Sequence, residues 1–345
     1  MPRGTNYLCL PDESLLDVNH VPQQYREPFI VCRYRRPCSS AWQCVRSLIH
    51  PTNETINFWS HFALLLLILG YIIHSCPDCF SKEGRLVNPY CYPMLSIAVS
   101  IICYHTMSCA AHVFCSMSPR VRHMCFFLDY GAISVFCMGG AVACCHYMNP
   151  QPTGFILFDS RPVLLTLTMA TAILGCIISC ATRHRWSGGK YALRTLGYFA
   201  PFIAANSPTL YRGLACIFVL KECSHSLIPA ANCYFLYFLA ALMNVARLPE
   251  RKLPGWFDFI GQSHHWVHTL TSVGTFEIYR ACLTEMLVRW PSPEEDMSHM
   301  QTSPLWMVVT LCFVLLVVVY FGSQLTDSGE LKTLTTTRKQ ATKEN

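Results

Sequence analysis

The chain has 345 residues, of which 52% are hydrophobic and only 13% charged, with a net charge of +6. Soluble domains carry about 25% charged residues, so this composition excludes an ordinary water-soluble globule and makes lipid part of the solvent. The basic residues lie in short loops rather than on one patch, which excludes a nucleic-acid surface, and the 21 cysteines fall mostly inside apolar stretches, unlike a secreted disulfide scaffold.

Residues 1–56 read as a polar, cytosolic lead segment with no apolar core of signal-peptide type. Within it, Ala41–His50 is expected to form a short amphipathic helix, because Trp42, Val45, Leu48 and Ile49 share a face. Eight apolar stretches follow, at 57–75, 93–115, 124–148, 162–181, 193–219, 227–247, 256–283 and 305–323. Each is near the ~20 residues that a helix needs to cross a bilayer. Pro201 and Pro208 interrupt the fifth and predict a kink. The seventh is the most polar. The expected fold is an all-α polytopic membrane bundle, with a transmembrane region at 57–323 and a cytosolic tail at 324–345. No internal repeat is evident, which argues against a transporter with duplicated halves.

Loop charge orients the bundle. Arg33, Arg35, Arg36 and Arg46 precede the first span; Arg120 and Arg122 separate spans two and three. Arg183, Arg185, Lys190 and Arg194 separate four and five, and Arg251 and Lys252 separate six and seven, with Arg247 at the edge. The tail carries Lys332, Arg338, Lys339 and Lys343, whereas one opposite loop carries Glu294, Glu295 and Asp296. The positive-inside rule therefore places both termini in the cytosol, which requires an even number of spans. Cys76, Cys79 and Cys91 share an outer loop and can pair if that loop is oxidised. Asn53-Glu54-Thr55 fits a glycosylation sequon but falls on the cytosolic side, which rules it out.

Four ionisable residues stand inside apolar segments, where each is expensive: His112, Asp129, His264 and His268. His264 and His268 are at i and i+4, one turn apart on one helix face. His112 lies near the end of span two, on the face of Ser108 and His105. Asp129 lies near the start of span three. Taken singly, a buried His is satisfied by neighbours and an Asp caps a helix. The topology, however, brings the end of span two and the starts of spans three and seven to the same inner depth, with His264 about two turns into its helix. Three imidazoles with an open fourth position match a catalytic zinc pattern. Asp129 would then accept a hydrogen bond from a metal-bound water or bind the metal directly, and Ser108 would hydrogen-bond that water or a substrate carbonyl. His61 and Asn57, near the start of span one, are expected to hydrogen-bond within the bundle. Asn206 and Asn244 are expected to join helices.

Three ordered blocks resemble the progestin and adipoQ receptor family over nearly all of residues 33–283. They are Thr52–Asn53–Glu54–Thr55–Ile56–Asn57–Phe58–Trp59–Ser60–His61, then Ser108-x-x-x-His112 with Leu128–Asp129–Tyr130, then Phe257–Asp258–Phe259–Ile260–Gly261–Gln262–Ser263–His264-x-x-x-His268. The resemblance implies a zinc site at His112, His264 and His268, with Ser108 and Asp129 beside it. Tyr34–Arg35–Arg36–Pro37, Met117–Ser118–Pro119–Arg120 and Leu248–Pro249–Glu250–Arg251 are similar to the membrane progestin receptor branch. That branch implies a seven-helix core with an eighth C-terminal span, a plasma-membrane location and a steroid or sphingolipid-like ligand, with a G protein or other cytosolic partner. Two positions depart from the family pattern: His265 stands where Gln is usual, and Ser60 where Thr is common. His265 is expected to point about 100° away from the ligand face.

Two functions follow from this reading. One is a receptor for a hydrophobic, progestin-type ligand. The other is a zinc-dependent amidase cleaving ceramide-like lipids and releasing a sphingoid signal. An ordinary G-protein-coupled receptor is disfavoured by the inside N-terminus, the eight spans, and the lack of Asp-Arg-Tyr or Asn-Pro-x-x-Tyr at helix ends.

Overall fold

The structure, a computed structural model, describes residues 15–75, 88–148, 154–184, 189–220, 224–289 and 297–325. Arg185, Cys76, Cys79, the acidic loop at 294–296 and the basic tail residues from Lys332 onward lie outside the described residues. The described residues form helices and turns, with one isolated bridge between Leu16 and Tyr34. In chain order the helices are α1 (Ala41–Arg46), α2 (Thr55–Ser75), α3 (Tyr92–Phe114), α4 (Pro119–Ala143), α5 (Ile156–Asp159), α6 (Arg161–His184), α7 (Lys190–Ala215), α8 (Leu227–Ala246), α9 (Ser263–Val288) and α10 (Ser303–Ser323). Among the described residues, six segments are long and apolar enough to cross a membrane: Thr55–Ser75, Pro89–Phe114, Pro119–Met148, Arg161–Arg183, Leu227–Ala246 and Ser298–Ser323. α7 and α9 are as long but carry charged residues along their length.

Local chemistry sets the helix starts. Ser40 and Gln43 close a capping box on α1. Ser118 accepts from the Val121 N–H, and Pro119 occupies the first turn of α4, where its missing N–H costs nothing. α7 runs through Pro201 and Pro208 as one helix, with both prolines inside it. The amphipathic segment is shorter than its apolar pattern predicts. α1 ends at Arg46, and Ser47–Ile49 tightens into a 3-10 turn.

Neighbours along the chain pack together: α3 with α4, α6 with α7, and α8 with α9. α2 lies against α3 and α9, and α10 lies outside them against α4 and α6. Glycine permits two close approaches. A Cβ on Gly175 would stand 2.7 Å from the Gly197 carbonyl oxygen, and one on Gly131 would stand 2.6 Å from Val314. Leu66, Leu67, Leu316 and Val319 are exposed on the outside of the bundle, as lipid-facing residues should be.

The lead segment is tied to one end of the bundle. Val31 and Cys32 N–H groups donate to Asp258 at 3.0 and 2.6 Å. Arg35 donates to the His112 and Val113 carbonyls, each at 2.7 Å. Arg122 pairs with Glu27 at 2.6 Å. At the opposite end, Glu285 is held by Arg212 and Arg289 and by the hydroxyls of Ser224 and Ser226. Cys91 and Cys216, at the same end, each take part in a disulfide. Cys109, Cys115, Cys137, Cys144, Cys145, Cys176, Cys180 and Cys233 are free thiols in the bundle.

Candidate metal centre

α9 begins later than its apolar run suggests. Residues 256–262 form turns, not helix, with Gly255 and Gly261 at φ of 87° and 89°. These left-handed positions suit glycine and break the helix there. His264 consequently sits in the first turn of α9 rather than about two turns in. Glu250 replaces a helix cap. Its buried carboxylate accepts from the Ser263 N–H at 2.7 Å and from the Ser263 hydroxyl. A carboxylate at a helix N-terminus is favoured by the unpaired N–H groups there. The Gln262 amide donates to the Asn53 carbonyl at 3.2 Å, joining this helix end to the start of α2.

The end of α3 and the start of α9 bring His112, His264 and His268 together, with one donor atom from each within 4.8 Å of the others. The Nε2 atoms of His264 and His268 are 3.2 Å apart. Two nitrogens bound at ~2.05 Å to one tetrahedral zinc would be about 3.3 Å apart, so the pair is spaced for a shared cation. The outer nitrogens are anchored. His268 Nδ1 lies 2.9 Å from the Asn57 carbonyl, which requires Nδ1–H and leaves Nε2 as the free lone pair. His112 Nδ1 lies 2.7 Å from Glu54 Oε2, and its buried Nε2 has no hydrogen-bond partner. An imidazole whose far nitrogen donates to a carboxylate or carbonyl is the arrangement that supports a metal ligand. His264 Nδ1 is also buried without a partner.

Glu54 was not singled out by the sequence reading. Burial pushes its carboxyl up. The hydrogen bond and charge of His112, with the charges of Arg35 and Arg122, reverse this and hold it well below the usual carboxylate range. Its partner Asn57 donates to the same Oε2 at 2.9 Å. The signal available in sequence was a Glu three residues before an Asn at a span start, which points nowhere by itself.

Asp129 does not cap a helix. It lies about three turns into α4, whose cap is Ser118. It is half-buried, interacts with Ser108, and lines one cavity with Ser108, His112, His264 and His268. The cavity holds about 730 Å³. His61 lines it too and, against expectation, makes no hydrogen bond through either ring nitrogen. Its ring packs 4.1 Å from that of His268 and 5.0 Å from that of His105. His265 turns away from the centre and accepts from the Gly261 N–H at 3.1 Å. Asn206 accepts from the Tyr234 hydroxyl at 3.2 Å and Asn244 donates to Thr195 at 2.9 Å, each linking α7 to α8.

Residues 49–279 match the family described as haemolysin-III related. The chain belongs to that family, the one in which the progestin and adipoQ receptors fall. Within the family the chain is similar to membrane progestin receptor delta of Mus musculus, at 33% identity over 284 residues and 81% of each chain. It is 32% identical to the Homo sapiens delta receptor over 325 residues, covering 92% of this chain and 93% of the relative. It is 31% identical to membrane progestin receptor gamma-A of Danio rerio over 304 residues, covering 82% and 85%. With six apolar spanning helices, this family member is an integral membrane protein.

Proposed function

We propose that the protein is a membrane receptor for a hydrophobic, progestin-type steroid, whose binding cavity ends on an intramembrane zinc site. One observation carries the reading. A cavity of about 730 Å³ joins aromatic walls, including Phe136, Phe202, Tyr234 and Tyr237, to a buried polar end of three converging imidazoles. Its size lies within the roughly 300–1,000 Å³ of small-ligand sites. The names of the similar membrane progestin receptors support the ligand class. In this reading α7 and α9 also cross the bilayer, giving a seven-helix core with α10 as the eighth span. Residues 1–56 and the tail are cytosolic, where a G protein or other signalling partner would dock. That Cys91 and Cys216 are each in a disulfide supports that orientation. Cys91 stands about 30 Å of helix from His112, at the end that would face an oxidising compartment. The plasma membrane is the corresponding location.

The test uses purified protein in lipid discs. Labelled progesterone should bind saturably and be displaced by unlabelled steroid at nanomolar levels. Failure of unlabelled steroid to displace it even at micromolar levels overturns the receptor reading.

The placement of Ser108 and Asp129 beside the three imidazoles favours a second reading, a zinc-dependent amidase of ceramide-like lipids. Held there, zinc would polarise an amide carbonyl and lower the pKa of a water toward ~7. Asp129 would accept the water proton on a carboxylate oxygen and return it to the departing amine nitrogen. Ser108 would donate its hydroxyl proton to the developing oxyanion. Release of fatty acid from fluorescent ceramide should fall at least about 100-fold in Asp129→Ala. Equal rates in wild type and variant would remove this reading.

A further inference from the structure

The cavity that meets the histidine centre also carries an unbalanced charge. Six Arg and Lys side chains line it, against three carboxylates, Glu27, Glu54 and Asp129. Glu54 is engaged by His112 and Glu27 by Arg122. Arg247 has the Glu250 carboxylate at 3.5 Å, but among the described residues no carboxylate comes within ion-pair distance of Arg183, Lys190 or Arg194. Their contacts are neutral. Arg183 donates to the Tyr130 hydroxyl at 3.4 Å and Arg194 to Thr182 at 3.0 Å.

These cations crowd around three aromatic rings. The Arg183 guanidinium lies 3.6 Å over Phe126, and Arg194 lies 5.3 Å from the Tyr130 centroid. Arg194, Lys190 and Arg247 stand 5.9, 5.3 and 4.5 Å from the Tyr191 centroid. None of the four is exposed. The positive-inside bias accounts for cations facing lipid headgroups, not for a set turned into an internal cavity. Cation–π contacts offset part of their repulsion. A bound anion would offset far more, because charges at such sites are weakly screened. Several cations converging from three separate elements suit a tetrahedral oxyanion better than a two-oxygen carboxylate. The aromatic walls of the same cavity suit an apolar body.

We propose that Arg183, Lys190, Arg194 and Arg247 form a site for the phosphate or sulfate monoester head of an amphiphile whose apolar body occupies the aromatic cavity. An uncharged progestin leaves this site empty, so the inference goes beyond the receptor reading and does not depend on it.

The test compares matched pairs on purified full-length protein in neutral lipid discs at low salt: oleoyl lysophosphatidate against monooleoylglycerol, and a steroid 3-sulfate against the free steroid. Inorganic phosphate is the third arm. In one pair the charged member should bind at least about tenfold tighter than its neutral partner, as expected for charge-assisted hydrogen bonds. The pair that shows this preference identifies the source as phospholipid or conjugated steroid. Lys190→Gln and Arg183→Gln should each cut the preference several-fold, and Arg183→Lys should retain part of it. Lys190→Gln is the safer variant, because among the described residues the Lys190 ammonium makes no hydrogen bond or ion pair and contacts the Tyr191 ring. Equal binding of charged and neutral members in both pairs overturns the proposal. So does a preference that survives the Lys190→Gln, Arg183→Gln double variant. Displacement of lysophosphatidate by equimolar inorganic phosphate would make this a free-anion site and overturn it as well.

Discussion

Two buried ionisable clusters, one at each end of the bundle, are finished differently, although His146 at the Glu285 end also leaves both ring nitrogens without a partner. At the end of Cys91 and Cys216, both Glu285 oxygens are occupied by Arg212, Arg289, Ser224 and Ser226. At the other end, His112 Nε2, His264 Nδ1 and both nitrogens of His61 are buried with no partner, and all three rings line one cavity. Leaving a buried polar atom unpaired costs about 1–3 kcal/mol, so a closed cluster reads as structure and an open one as a place for something else. The Glu285 cluster ties the loop before α8 to α7 and α9. The histidine cluster is anchored through Glu250 and Gln262 while leaving nitrogens free.

The comparison breaks most directly at the metal. Wild-type protein should carry about one zinc, and His264→Ala with His268→Ala should carry less than about a tenth of that, measured by elemental analysis at unchanged helicity. Retention of the metal in that variant would make the histidine cluster merely structural. The opposite change, Glu285→Ala, should leave zinc content intact and destabilise the fold by about 3–5 kcal/mol, because two arginines lose their shared carboxylate. Thermal unfolding should shift down by on the order of 10 °C. A smaller effect is expected for Glu54→Gln. The amide still accepts from His112 Nδ1 but no longer stabilises positive charge on it, so zinc affinity should fall about 10–100-fold in a chelator competition. Equal effects of Glu54→Gln and Glu285→Ala on zinc would erase the distinction between the two ends.

Much of this was legible before any coordinates, and the reasons are specific. His112, His264 and His268 stood out because ionisable groups are costly in apolar runs and because i, i+4 fixes a shared face. Loop charges put them at one depth independently of their chemistry. Glu54 and Glu250 were not legible, since each lies in a polar connector where a carboxylate is cheap and no periodicity aims it. Trp256–Ile260 looked like helix by hydropathy alone. The positive φ of Gly255 and Gly261 makes it a turn, which moves His264 to the first turn of α9. His61 was expected to find a hydrogen-bond partner, as most buried histidines do, and only the packing of α2 against α3 and α9 shows that it does not. α7 and α9 fall short of a purely apolar span for different reasons: Lys190 and Arg194 of α7 line the cavity, whereas Glu277, Arg280 and Glu285 of α9 do not.

The smallest expected effect is at His265, where the family pattern has Gln. The residue follows His264 directly, so its side chain leaves the helix about 100° away from the ligand face. Its Nδ1 accepts from the Gly261 N–H, and its Nε2 is buried without a partner. A glutamine oxygen can accept the same N–H, and its amide is smaller than an imidazole ring that leaves a donor unpaired. His265→Gln should therefore leave zinc content unchanged and shift stability by no more than about 1 kcal/mol in either direction. Loss of half the metal in this variant would place His265 among the groups that hold the centre, and would mean that adjacency to His264 matters more than direction around the helix.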